Sequence, residues 1–319
     1  MSYNFDSVRA KIRNKCTETG LKPDILYNRY LLERFICRIA ESEHTDSIVI
    51  KGGLLISAIT GIDLRATRDL DATIIGNVLE RSEFEKLVCD IISIDLDDNI
   101  FFKFVGTEEI MQDNNYPCYR IHLRAEFGSM NAKLEIDMTT GDAITPKEIN
   151  FGFPSLFANT KIPVLAYNIE TILAEKLTAI LDLNVYNTRA KDFYDVYLLK
   201  TSFENQIDRG TLHSAVCNTL ESRGKTSLLN RINDIVPKII TSENIISHWN
   251  KYQDEYPYAK DIDFIAISRA LIETIKYAGF ELPLENESLK AKLQRYQKVA
   301  DEHNSKSSFT NKTKNEPEI

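Results

Sequence analysis

The sequence predicts an α+β fold, with strands in the first half of the chain and helices in the second. Strand-like apolar runs all precede residue 140, and from Asn168 onward the apolar residues recur at helical spacing. The chain has 319 residues, of which 43% are hydrophobic and 27% are charged. This length and composition allow a sizeable core, arranged as two domains or as one large one.

Charge and cysteine usage narrow the class of protein. The formal net charge is −8, which does not suggest a strongly cationic nucleic-acid binder, although a local basic face is compatible with it. The five cysteines include no CxxC pair, so neither a zinc knuckle nor a disulfide framework is expected, and a reducing cytosol fits. The N-terminus lacks a signal-peptide pattern and no apolar run approaches the roughly 20 residues of a membrane span. We therefore expect a cytoplasmic protein without a membrane contact.

The first half combines helices with strands. Residues 6–43 are predicted to be largely helical, with Pro23 at a helix start, and residues 79–94 to form an amphipathic helix. Residues 144–164 contain three prolines and are predicted to be an extended crossover leading out of the sheet. Strands are expected at 48–50, 72–75, 101–104, 119–127 and 132–138, with the last two antiparallel across Gly128-Ser129.

Helices dominate the second half. Asn168 is a plausible N-cap for a helix containing the sequence AEKLTA, and a second helix starts near Arg189. Helix-like spacing continues beyond residue 205. The polar residues 304–319 are expected to be a disordered tail.

A glycine pair marks a candidate phosphate site. Gly52 and Gly53 follow a buried strand and Lys51, and they precede a helix. Glycine lets the backbone approach a phosphate, and the N-terminus of a helix offers N–H groups to it. A simple tight turn is the alternative. The spacing fits neither a Walker A loop nor a dinucleotide-binding fingerprint.

Two carboxylates mark a candidate metal site. Asp69 and Asp71 are two residues apart, so on a strand both point to the same face. Mg²⁺ is commonly held by one or two carboxylates together with substrate phosphates. The alternative is that Asp69 and Asp71 are solvated surface carboxylates. The neighbouring glycine turn favours the metal site over this alternative. A third carboxylate is expected on an adjacent strand, where Asp137 is preferred and Glu135 is the reserve; an edge-strand charge is the alternative.

Charged residues recur in the helical half. Lys176 lies in an otherwise apolar helix, where it can either extend to solvent or reach a triphosphate. Asp192 and Asp195 share one helix face, and an ion pair between two helices is their alternative role.

With these residues identified, the chain resembles the AbiEii/AbiGii toxin family of nucleotidyltransferases, within the DNA polymerase β-like superfamily. The resemblance covers residues 45–200 and depends on four motifs in matching order and spacing. They are KGG at 51–53, RxTxDLD at 65–71, AEKLTA at 174–179 and RAKDFYDVY at 189–197.

The resemblance implies a two-lobed protein. Residues 1–160 would form a nucleotidyltransferase lobe with a mixed β-sheet flanked by helices, and residues 161–303 a helical lobe that completes the active site. The implied metal ligands are Asp69, Asp71 and Asp137, holding Mg²⁺ or alternatively Mn²⁺. The implied catalytic set is Asp69, Asp71, Asp137, Lys176, Asp192 and Asp195, with Asp192 favoured over Asp195 for the role of the fourth motif. The implied nucleotide-binding set is Lys51, Gly52, Gly53, Arg65, Thr67 and Lys176.

The resemblance also implies a function. The protein would be the toxin of a bacterial toxin–antitoxin, abortive-infection system for phage defence, with a cognate antitoxin as a partner. It would transfer nucleotides from an NTP, with GTP or CTP favoured, to an RNA acceptor, with the tRNA 3′ end favoured, and so block translation and growth. The alternatives are transfer to a small molecule or a protein, and a catalytically inactive nucleotide-binding regulator.

Overall fold

The computed structural model describes residues 4–62, 65–76, 79–110 and 118–282. They divide into two compact units, of which the first draws its residues from Met1–Thr178 and Ser202–Thr226. The second draws its residues from Ala179–Thr201 and from the stretch that begins at Ser227. The predicted α+β class is confirmed, since the first unit contains a mixed sheet with helices and the described part of the second is helical. The predicted tail at 304–319 lies outside the described residues.

The described strands form one seven-stranded sheet in the order β3-β4-β5-β2-β1-β7-β6. The pairs β1/β7 and β2/β5 are parallel, and the other neighbours are antiparallel. The predicted hairpin across Gly128-Ser129 is confirmed, because β4 and β5 pair along their whole length. The strands are β1 Ile48–Lys51, β2 Leu70–Ile74, β3 Ile100–Ile110, β4 Cys118–Phe127, β5 Met130–Thr140, β6 Ile149–Pro154 and β7 Lys161–Ala166.

The predicted crossover at 144–164 is wrong. Most of this segment forms the antiparallel pair β6/β7, which extends the sheet beyond β1. The prolines are compatible with strands here because Pro154 ends the edge strand β6 and Pro163 lies before the ladder with β1, which begins at Leu165. The segment therefore belongs to the sheet.

Local sequence signals explain several helix ends. The side chain of Asn4 caps α1, and Gly20 ends it in a left-handed conformation. Pro23 begins α2, and Asn168 caps α5 by accepting a 2.8 Å hydrogen bond from the Thr171 N–H, both as predicted. The helices are α1 Phe5–Thr19, α2 Pro23–Ala40, α3 Gly52–Thr60, α4 Arg81–Ile92, α5 Ile169–Leu183, α6 Ala190–Phe203, α7 Arg209–Ser222, α8 Ile232–Ile239, α9 Glu243–Glu255 and α10 Phe264–Tyr277. Within the described ranges, no helix is both long and apolar enough to cross a membrane.

An aromatic cluster holds α6 within the second unit. The buried ring of Tyr194 lies 6.4 Å from the ring of Trp249 on α9 and 5.2 Å from that of Tyr258. Such ring pairs add to the stabilisation gained from burial alone. The cluster therefore fixes the helix that carries Asp192 and Asp195.

Candidate active site

The turn between β1 and α3 fits closely around the carboxyl group of Asp71. Lys51 ends β1 and Gly52 begins α3. Gly52 has φ +65°, in the left-handed region, and a Cβ at this position would lie 2.6 Å from Cγ of Asp71. The sheet register causes this proximity, because Lys51 and Asp71 are directly opposed on β1 and β2. Position 52 therefore requires glycine both for its backbone conformation and for the space that the carboxyl group occupies.

The second glycine makes room for the arm that precedes β2. A Cβ at Gly53 would lie 3.0 Å from Nη2 of Arg65 and 3.1 Å from Oγ1 of Thr67. Arg65 is buried, and its Nη1 donates a hydrogen bond to the carbonyl of Ala66. Four residues of the predicted nucleotide-binding set, at positions 52, 53, 65 and 67, therefore lie against one another.

The first turn of α3 provides N–H groups for an anion. No described side chain caps this helix, and the first N–H groups of any helix lack intrahelical partners. The same end carries the positive end of the helix dipole. Together with the two glycines, this arrangement fits a phosphate group.

The sheet register aligns five charged residues on one face. Directly opposed residues on neighbouring strands point to the same side of a sheet. The alignment crosses β1, β2, β5, β4 and β3, and we call it the charged row. It consists of Lys51, Asp71, Asp137, Arg120 and Glu108.

Asp71 is the member of the charged row best placed to receive a cation. Its side chain is half-buried, and no described residue forms an ion pair or a hydrogen bond with its carboxylate. Asp69, also half-buried, lies two residues earlier, just before β2. Two carboxylates two residues apart at the start of a strand would be stabilised by a cation bound between them. The donor set therefore fits a divalent metal ion.

Asp137 lies beside Asp71, as predicted, but it is engaged by an arginine. Nε and Nη2 of Arg120 each donate a 2.8 Å hydrogen bond to its carboxylate. These bonds, and then the negative charges of Asp137, Glu135 and Asp69, raise the pKa of Arg120. The described residues contain no group of three or more His, Cys, Asp or Glu that could hold a metal. A site with three carboxylate ligands therefore stays a prediction.

Lys51, directly before the glycine turn, lies in a buried polar network. Its Nζ donates a hydrogen bond to Oδ2 of Asp142, and it lies 3.8 Å from Oε1 of Glu175. The hydroxyl groups of Thr139 and Tyr167 also donate to Oδ2 of Asp142, the latter at 3.1 Å. The ammonium group is thus held by acidic partners, and it anchors the last residue of β1.

Burial and neighbouring charges shift the pKa values of Lys51 and Asp142 in opposite directions. Burial alone would lower the pKa of Lys51, but the charges of Asp142 and Glu175 outweigh it and raise that pKa above its ordinary value. Burial would raise the pKa of Asp142, but the charge and hydrogen bond of Lys51 lower it from 3.8 to about 2. Both groups are therefore charged at neutral pH, and each stabilises the other.

The lowered pKa of Asp142 predicts a specific acid sensitivity. Because the folded-state pKa lies below the unfolded one, the stabilisation is complete above about pH 4 and is lost as the pH falls toward 2, amounting to about 2 kcal/mol. Urea unfolding followed by circular dichroism from pH 6 to pH 2 measures it. An Asp142→Asn variant should lack this part of the pH dependence. Parallel pH profiles for the two proteins would contradict the assignment.

The remaining predicted residues lie on α5 and α6. Lys176 is half-buried on α5, directly after Glu175. Asp192 and Asp195 are fully buried on α6, and Nε of Arg189 lies 3.1 Å from Oδ2 of Asp192. Asp192 is thus ion-paired to the residue just before its own helix, which is not a pair between two helices, and the catalytic roles of all three residues stay predictions.

Two residues of the site were not predicted from the sequence. Arg120 is central to the charged row, and Asp142 is the partner of Lys51. The alternation of Tyr119 to Phe127 identified a strand, but its pairing register was needed to place Arg120 opposite Asp137. Asp142 follows the glycine of the MTTGD turn, and an acidic residue just after a strand was the signal that could have drawn attention to it.

Comparison with known proteins identifies the class to which this site belongs. Residues 34–268 match the family model described as "Nucleotidyl transferase AbiEii toxin, Type IV TA system". The protein is thus a nucleotidyltransferase. The matched span exceeds half of the chain, and the chain belongs to the AbiEii family. Membership implies a toxin with an antitoxin partner and a nucleotide substrate, and nucleotidyltransferases generally use an NTP with a divalent metal.

Several solved structures are similar to the chain. A proposed nucleotidyltransferase from H. pylori has 17% identity and a TM-score of 0.47, with 86% of this chain and 99% of that chain covered. JHP933 from Helicobacter pylori has 15% identity and a TM-score of 0.47, with 89% and 99% covered. An antigenic nucleotidyltransferase-like protein from Paracoccidioides brasiliensis has 15% identity and a TM-score of 0.34, with 61% and 90% covered. No curated protein matches the chain.

Proposed function

We propose that this toxin transfers a nucleotide from an NTP to the 3′ end of an RNA, with tRNA as the acceptor, and that it uses Mg²⁺ held by Asp69 and Asp71. One observation carries the proposal. The carboxylate of Asp71, which forms no hydrogen bond or ion pair with a described residue, lies against Gly52 at the uncapped start of α3. A cation ligand and a phosphate cradle thus meet at a single turn.

The choice of Mg²⁺ follows from the ligand chemistry. Carboxylate oxygens suit hard cations, and Mg²⁺ commonly takes one or two of them together with phosphate oxygens and water. When bound, the ion would neutralise negative charge on the phosphates and orient the attacking group. Mn²⁺ prefers similar oxygen ligands and is the alternative.

The glycine turn is the proposed cradle for the triphosphate. The N–H groups of the first turn of α3 would donate to phosphate oxygens. Arg65 and Thr67 contact the cradle through Gly53, and Lys176 is proposed to provide a further positive charge. Lys51 is assigned a positioning role, because its ammonium is buried against Asp142.

The proposed reaction is a displacement at the α-phosphorus. The 3′-hydroxyl oxygen of the acceptor forms a bond to this phosphorus, the bond to the bridging oxygen of the β-phosphate breaks, and pyrophosphate leaves. The hydroxyl proton passes to a carboxylate, for which Asp71 is the proposed acceptor. Modified tRNA ends would no longer accept amino acids, and growth would stop, as expected of a toxin in phage defence.

Labelled nucleotides test the acceptor directly. The purified protein is incubated with Mg²⁺, total tRNA and each of the four NTPs carrying ³²P at the α-phosphate. We expect label in the tRNA band, with GTP or CTP as the best donor. Label in a small molecule or in protein would contradict the tRNA assignment.

Oxidised tRNA is the matched control. Periodate converts the terminal cis-diol of tRNA to a dialdehyde, which removes the 3′-hydroxyl and leaves the rest of the molecule intact. Labelling should therefore be lost with oxidised tRNA and return when the terminal nucleotide is rebuilt. Labelling that survives oxidation would place the transfer at another position of the RNA.

A further inference from the structure

We propose that Arg120 is a positioning residue that holds Asp137 away from the metal, so that the metal site uses two carboxylates instead of three. The inference rests on the proposed function, because it concerns the same metal site. It assigns Arg120 the role of an internal cation in the charged row. Asp137 then contributes to the site through Arg120 and not as a ligand.

Arg120 and Asp137 form a bidentate ion pair that holds the Asp137 carboxylate in place. Two parallel hydrogen bonds of 2.8 Å join the guanidinium group to the two carboxylate oxygens. The pair is built into the sheet, since the two residues are directly opposed on β4 and β5. Bidentate pairs of this kind are among the strongest side-chain hydrogen bonds in proteins. A metal ion would have to compete with both bonds to recruit Asp137.

Both candidates for a third metal ligand, Asp137 and Glu135, have positively charged or imidazole neighbours. Nη1 of Arg120 lies 3.6 Å from Oε2 of Glu135, and the Asp137 side chain is only 13% exposed. Glu135, the reserve candidate, is also approached by Nδ1 of His122 at 3.7 Å. Both candidates for a third ligand are thus already partnered, whereas the Asp71 carboxylate forms no hydrogen bond or ion pair with a described residue.

The charge balance of the row explains why such an arrangement is useful. Asp69, Asp71 and Asp137 would place three negative charges in a half-buried region, and unpaired like charges repel strongly there. Arg120 compensates one of them permanently. The carboxylates of Asp69 and Asp71 then stay as the proposed ligands of a single divalent metal ion.

Direct metal binding tests this assignment without any measurement of nucleotidyl transfer. The EPR signal of free Mn²⁺ reports binding by the full-length protein in the absence of nucleotide. Arg120→Gln should bind Mn²⁺ about tenfold more tightly than the wild type, because it releases Asp137 and removes a nearby positive charge. Unchanged or weaker binding by Arg120→Gln would overturn the proposal.

A double variant separates the two roles of Asp137. Arg120→Gln with Asp137→Asn replaces the ion pair by a neutral pair of similar size. If Asp137 is not a ligand, the Mn²⁺ affinity of the double variant should stay within about twofold of that of the wild type. If Asp137 is a ligand, the double variant should bind as weakly as Asp69→Asn. The double variant also decides the question should Arg120→Gln fail to fold, which circular dichroism would detect.

Two further controls complete the design. Lys103→Gln removes a positive charge from an exposed pair on the same sheet, outside the charged row, and should leave Mn²⁺ binding unchanged. Asp69→Asn should abolish binding. Tight binding by Asp69→Asn would refute the proposed metal site itself, whereas its loss together with unchanged binding by Arg120→Gln would refute only the role of Arg120.

Discussion

Replacing Gly52 with alanine should reduce nucleotidyl transfer at least about a hundredfold, because displacements of about 1 Å in an active site have effects of that size. The new Cβ would overlap the carboxyl group of Asp71, lying 2.6 Å from its Cγ. Either the carboxyl group or the start of α3 must move, and both belong to the proposed site. Initial rates with α-labelled NTP, measured at saturating substrate, provide the comparison.

Gly20→Ala is the matched control for this variant. Gly20 has φ +72°, close to the +65° of Gly52, but no atom of a described residue would lie within 4 Å of its new Cβ. Both substitutions introduce the same backbone strain, on the order of 1–2 kcal/mol, and only one disturbs Asp71. Equal rates for the two variants would contradict the role given to the glycine turn.

Replacing Asp142 with alanine should lower the free energy of unfolding at neutral pH by about 3–5 kcal/mol, the usual result of leaving one member of a buried ion pair alone. The side chains of Lys51 and Asp142 are only 9% and 7% exposed, so the remaining ammonium group could not be fully hydrated. Urea denaturation measures this loss. Transfer activity should fall too, because Lys51 anchors the glycine turn.

A surface pair provides the comparison. Asp24 forms an ion pair with Arg68, and the two side chains are 60% and 55% exposed. Asp24→Ala should therefore change the free energy of unfolding by less than about 1 kcal/mol. The double variant Lys51→Met/Asp142→Leu, which removes both buried charges, should recover most of the stability that Asp142→Ala loses. A similar loss in all three variants would argue against a buried ion pair.

Local patterns made much of the fold predictable. The hairpin across Gly128-Ser129 and the N-cap at Asn168 depend on neighbouring residues, and both are confirmed. The glycine turn and the Asp69/Asp71 pair were also identified from adjacent residues. The proximity of the glycine turn to Asp71 follows from the antiparallel pairing of β1 with β2, and strands consecutive in sequence are commonly neighbours in a sheet.

Contacts between residues far apart in the sequence could not be predicted. The partner of Lys51 is 91 residues away, at Asp142, and the sequence alone gave no reason to join them. The predicted phosphate contact of Lys51 stays a prediction, and the structure adds that its ammonium group is buried against Asp142. Similarly, Asp137 was identified as a carboxylate near Asp71, but the register of β4 was needed to show that Arg120 engages it.

Nucleotidyl transfer that depends on a metal held by Asp71 is tested by comparing α- and γ-labelled NTP in parallel reactions with wild-type protein and Asp71→Asn. The variant retains the size of the side chain and removes the negative charge of the carboxylate that we propose binds the metal. The wild type should incorporate label into RNA from the α-position only, and Asp71→Asn should incorporate none while its unfolding curve is unchanged. Incorporation from the γ-position, or undiminished incorporation by a folded Asp71→Asn variant, would contradict the proposed mechanism.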